Sequence, residues 1–442
     1  MARIPRLRMR QLVFVGLAAA VLLTIGGVLG TRSSTPPHPT TTPAAQSQAT
    51  PAKDRLTAAI ERAQQRLRLV PGDYVTWASL GSAYLEQARV TADASWYPKA
   101  QGALNHSLRL RGRDNAAALA GLGALANARH DFAGAGGWAR RALGEDPYDA
   151  DAYGVLADAQ TQLGNAAGAT GAVQHMLDLR PGLAAYARAS YDLEQHGRID
   201  EAGDLMRQAT GAAVDPADIA FCRYQLGELA WQAGHLDVAE REYAAGLAAD
   251  PSYLPLRQGR AKVEAARGQT EAALADFADI TGRYPSPGYF IEYAELLRAA
   301  GQAPQAQTQL ALADAAQRLF TANGGADDLT GAILALAENQ PAQGLRLARQ
   351  EWRRRQHADV ADVLAWALHA NGQDAQALRY ATMAGAPGAR NAKYAYHLGM
   401  IELGLGDKAG AGRDLRRALS TNKYFSPVDA PLAARVLTGL AA

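Results

Sequence analysis

The 442-residue sequence predicts an all-α solenoid, a stack of small helix-turn-helix units with no single core. Two observations predict it. Trp77, Leu80, Gly81 and Tyr84 stand at spacing W-x2-L-G-x2-Y, and a degenerate form of that pattern returns about every 34 residues to the end of the chain. The second is punctuation: small residues where paired helices touch, a glycine between the helices, and a proline after the second. Proline cannot continue a helix and glycine accepts the left-handed turn, so each mark has a mechanical cause.

The units follow in order. Residues 54–69 read as an amphipathic helix, with Pro71 placed like the closing proline of a partial repeat. Unit one holds Trp77–Tyr84, then a longer connection through Trp96 and Tyr97 to Ala100 and Leu104. Units two and three close at Pro147 and Pro181, one period apart. Unit four has Val214 where the closing proline is expected. Unit five carries Leu226, Gly227, Gly234, Tyr243 and Pro251, and unit six carries Gly268, Ala273, Phe277 and Pro285. Unit seven has Phe290 and Gly301. The stretch Ala326–Gln356 fits by spacing more than by residue type, with Pro341 in a first-turn position. Register returns at Gly372 and Gly406, which gives about ten units. After Lys423 the pattern stops. Residues 425–442 then read as a terminal helix, capped by Asp429, that covers the last unit's apolar face.

The first-helix motif, with Ala273, Phe277 and Pro285 as the A-x3-F…P half, resembles the tetratricopeptide repeat (TPR) family. The resemblance covers residues 54–424. It implies a right-handed superhelix whose motif residues pack helices and whose first helices line a concave groove.

The N-terminus differs. Arg3, Arg6, Arg8 and Arg10 fill a basic tail, residues 1–10, before the uncharged run 11–30. About 20 apolar residues suffice to span a bilayer, and the arginines keep the tail cytoplasmic. The expectation is a single transmembrane anchor that leaves the array extracytoplasmic. The competing reading is a signal cleaved near Gly30, with Val28 and Gly30 as the small residues of the site. Residues 31–53 are rich in Pro, Thr and Ser and read as an extended disordered spacer. Only six lysines stand against many arginines, which reads as high-GC coding bias and so bacterial origin.

Chemistry is scarce. The formal charge of +2 is too small to imply a nucleic-acid surface. No P-loop, G-x-S-x-G, H-E-x-x-H or paired Cys-x2-Cys occurs, so no enzyme, cofactor or metal is expected. Cys222, the single cysteine, reads as a packed helical thiol. His38, His357 and His369 receive no metal role. Asp327 and Asp328 read as a helix start. Arg109, Arg111 and Arg113, like Arg353, Arg354 and Arg355, read as solvated helix C-termini, with an acidic polymer as the rival.

Partner recognition is the remaining role. The resemblance places groove positions at Tyr191 and Glu194, then at Phe221, Tyr224, Glu228 and Trp231. Trp366 and Tyr396 follow, accompanied by Asp151, Asp158, Glu295, Asp359, Asp362, His369 and Lys393. That face is aromatic and acidic, suited to an extended segment with apolar anchors and basic residues. Packing against the next unit is the competing role for each residue. The carboxylate clamp of some TPR proteins is not seen at these positions. The expectation is a non-catalytic scaffold or adaptor at the cell envelope. The alternatives are self-assembly into oligomers, or an accessory subunit of an envelope enzyme or assembly complex.

Overall fold

The computed structural model describes residues 52–441, which form 22 α-helices and no strand. The basic tail, the 11–30 run and the spacer up to residue 51 lie outside them. Among the described residues no helix is long and apolar enough to cross a membrane.

Helix α1 (Ala52–Leu69) precedes ten antiparallel hairpins. The first five pair α2 (Tyr74–Thr91) with α3 (Tyr97–Leu110), α4 (Ala116–Ala128) with α5 (Phe132–Glu145), α6 (Ala150–Gln162) with α7 (Ala166–Leu179), α8 (Leu183–Gln195) with α9 (Ile199–Ala212), and α10 (Pro216–Gln232) with α11 (Leu236–Ala249). The next three pair α12 (Leu254–Ala266) with α13 (Thr270–Arg283), α14 (Pro287–Ala299) with α15 (Ala303–Ala322), and α16 (Asp328–Ala337) with α17 (Pro341–Arg354). The last two pair α18 (Ala358–Ala370) with α19 (Asp374–Gly385) and α20 (Ala392–Gly404) with α21 (Lys408–Thr421). Helix α22 (Asp429–Ala441) packs on α21 and closes the array.

Local chemistry sets the boundaries. Side chains of Asp73, Asp131, Asp149, Asn165 and Asp407 accept the free N–H groups at the starts of α2, α5, α6, α7 and α21. Pro147, Pro181, Pro251 and Pro285 follow the ends of α5, α7, α11 and α13, where a helix can no longer propagate. In unit four Val214 is exposed, and Asp215 with Pro216 starts α10 instead. The weakly patterned stretch forms α16 and α17 with Pro341 at the start, as its spacing predicts.

The motif residues are interior. Leu80, Ala273 and Phe277 are buried. A methyl group on Gly81 would overlap Leu104, and one on Gly227 would overlap the ring of Tyr243. Glycine there lets the two helices of a hairpin approach closely. Trp77 is partly buried, and its indole N–H donates to the Pro71 carbonyl at 2.9 Å.

The array winds back onto itself. Tyr284 donates to the Arg89 carbonyl at 2.9 Å, Asn422 to the Trp231 carbonyl at 2.7 Å, and Arg355 to Gln162. These partners are 195, 191 and 193 residues apart, a near-constant offset of between five and six periods. The Ala326 N–H likewise donates to the Arg129 carbonyl at 2.9 Å. A second turn of the superhelix therefore rests on the first, loop against loop. Gly164, at φ +78° between α6 and α7, sits against the Gln356 carbonyl with no room for a methyl group. Arg355 corrects the sequence reading. It is 6% exposed and pairs with buried Glu351; it fills the seam between turns, because a buried arginine needs such partners. Arg353 and Arg354 are both exposed, and Arg354 pairs with Asp328 and Glu351. Asp327 caps α16 as expected, and its carboxylate also lies 3.8 Å from His130 across the seam.

Candidate functional site

The inner face is built from first helices, and its polar residues are tied together at the period of the repeat. Tyr224 on α10 donates to Gln258 on α12 at 3.4 Å, and Gln258 donates to Glu292 on α14 at 2.6 Å. Lys262 donates to Glu228 at 2.7 Å, and Tyr243 adds a second donor at 2.6 Å. In the second turn Tyr394 donates to Asp359, and His397 bonds Asp362 at 2.9 Å. The partners in the first three contacts are 34 residues apart and those in the last two are 35 apart. Equivalent positions on successive units thus form rungs. Gln258, Lys262, Glu292, Tyr394 and His397 were not named from sequence, although adding one period to Tyr224, Glu228, Gln258, Asp359 and Asp362 finds them.

These rungs flank a cavity of about 830 Å³. One wall, built from α10, α12 and α14, carries Glu228, Trp231, Lys262, Glu292 and Glu295. A second wall, from α18, α20 and the turn before α20, carries Asp359, Asp362, Arg390, Lys393 and Tyr394, and residues 422–427 form a third side. Lys262 holds its ammonium 5.3 Å from the centre of the Trp231 ring.

The structure sorts the sequence-derived positions. Glu228 and Trp231 line the cavity, as do Glu295, Asp359, Asp362 and Lys393. Tyr191 and Glu194 are half-buried on the same inner face, near Asp359. Phe221 is partly buried against a hydrophobic cluster that includes Ala187, Met206 and Leu226. Tyr224 and Tyr396 are buried. Trp366 is 4% exposed and stacks on His397 at 4.2 Å. Asp151 pairs with Arg180, Asp158 with Arg188 at 2.8 Å, and His369 with Asp374. Large rings on a tightly wound array meet the next unit before they meet solvent.

Charge inside is unevenly matched. Burial, with Glu228 nearby, pushes the Glu292 carboxyl up to about 7 despite Lys262 and Gln258. Burial likewise pushes Glu194 up to about 7, against a hydrogen bond from Gln232. Burial also acts on Asp359, but His357 and Tyr394 outweigh it and hold that carboxyl below its usual range. Desolvated carboxyls of this kind bind cations and hydrogen-bond donors more strongly than surface acids do.

No family model matches the sequence, and no curated protein does. Among solved structures, the Cut9–Hcn1 hetero-tetramer of the APC/C is similar at TM-score 0.40 and 12% identity, over 89% of this chain and 97% of that chain. A tetratricopeptide repeat protein from Parabacteroides merdae ATCC 43184 is similar at TM-score 0.35 and 18% identity, over 59% and 99%. MamA is similar at TM-score 0.30 and 18% identity, over 36% and 93%.

Proposed function

We propose that the chain is a non-catalytic scaffold that receives an extended segment of a protein partner inside its superhelix. The cavity carries this reading. It sets the rings of Trp231, Tyr394, Tyr424 and Phe425 beside the carboxylates of Glu228 and Glu292. Rigid rings supply contact area at low conformational cost, and buried carboxylates select basic side chains. Glu292 and Glu194 accept amide N–H bonds in place of ion pairs, which favours an occupant carrying lysine or arginine. Residues 11–30 would anchor the array at the cell envelope.

The test is a binding titration of a captured partner with Trp231→Ala and Glu292→Gln. At least a tenfold loss of affinity is expected for each. Unchanged binding by variants with intact helical signal would sink the proposal. For the envelope placement, protease added to intact spheroplasts should cut the array from outside. One observation favours self-association as a second reading: Leu69, Val70 and Val75 are exposed around the α1–α2 turn. Light scattering on the array separates the two, since the scaffold reading expects a monomer.

A further inference from the structure

We propose that residues 423–441 form a displaceable lid on the interior cavity, in addition to covering the last hairpin. The proposal rests on the cavity being the partner site. The capping role alone requires only that Ala433, Val436, Leu437 and Leu440 pack on the apolar face of the last units, which they do. The segment before α22 does more. It turns inward, where Ser426 donates to Glu295 at 2.6 Å, 131 residues earlier on the opposite wall. Phe425 lies 5.5 Å from the Tyr396 ring, and Tyr424, Phe425, Ser426 and Pro427 line the cavity. The chain's own C-terminal segment therefore occupies one side of the space a partner would use.

The lid is held by polar groups that are poorly matched. Asp429 is 0% exposed; among the described residues the Ser426 and Tyr396 hydroxyls approach its carboxylate, but neither makes a well-aligned hydrogen bond to it. Lys393, 8% exposed, has no hydrogen-bond partner for its ammonium among the described residues. Buried charges that are incompletely satisfied oppose burial, so docking here sits nearer balance than docking on an apolar seam. The groups facing Asp429 are Lys393 and Tyr396 from α20, Glu295 from α14 and Ser426 from its own segment; Arg435 on α22 acts on Tyr396. Burial pushes the Asp429 carboxyl up to about 8, against the pull of Lys393. The docked lid therefore holds a proton that a released segment, with an ordinary aspartate, gives up. Docking strengthens as pH falls from about 8 and weakens as pH rises through that value.

Hydrogen exchange on the full chain tests this without any partner. Relative to intrinsic rates, opening of peptides covering 424–441 should rise at least tenfold from pH 6 to pH 8.5, while α20 stays protected. Asp429→Asn should keep the lid closed and abolish the pH dependence. Ser426→Ala, which leaves Asp429 in place, should speed lid exchange at both pH values. Exchange of α22 that is independent of pH, or that follows global opening of the last hairpin, would overturn the lid. That failure leaves partner binding in the cavity standing. Loss of partner binding with a normal lid profile removes only the partner reading.

Discussion

Glu292 is a single residue whose burial sets the charge of the inner face. Its carboxyl is half-buried and pushed up to about 7, so the folded chain binds a proton that the unfolded chain, near 4.5, releases. Folded stability from this group is therefore lost as pH rises from about 4.5 to 7. Glu292→Gln keeps the acceptor for Gln258 and removes the charge. It should stabilise the protein by about 1 kcal/mol at pH 8 and by much less at pH 5, as read by urea unfolding at both. Residue-level legibility was uneven. The groove numbering puts Glu228 and Trp231 on the inward side of a first helix, and both line the cavity. It could not tell Tyr224, Trp366 and Tyr396 apart from them, since how tightly the array winds decides which rings are covered.

At the scale of elements, the hairpin is the unit that sequence specifies best. Gly227 faces Tyr243, Gly81 faces Leu104, and closing prolines mark the ends of second helices. Gly227→Ala must displace the Tyr243 ring, and that ring also donates to Glu228. It should cost about 1–3 kcal/mol in urea unfolding, as overpacking does. Spacing alone located α16 and α17 where residue types were weak, because the neighbouring units fix the register. The rungs between units were missed. They join side chains one period apart, and their signal lies between repeats rather than within one.

The whole molecule is a superhelix whose second turn rests on its first, and nothing in one repeat announces it. Curvature is the sum of small rotations between units, so contact between turns emerges only after five to six of them. Gly164 and Gly268 test this together. Both sit at positive φ, +78° and +79°, but a methyl group on Gly164 would overlap the Gln356 carbonyl while one on Gly268 meets open space. Gly268→Ala should cost about 1 kcal/mol, the strain of a left-handed residue. Gly164→Ala should cost more and also raise the radius of gyration in small-angle scattering. Equal costs and equal radii would mean that the turns do not touch in solution. Photo-crosslinking in the native cell reads out whether a partner segment seats inside these turns. A benzophenone side chain replacing Trp231 on the inner face should capture a partner peptide, whereas one replacing exposed Leu319 on α15 should not. Capture from Leu319 with none from Trp231 would place the partner outside the superhelix and rule out a seat in the cavity.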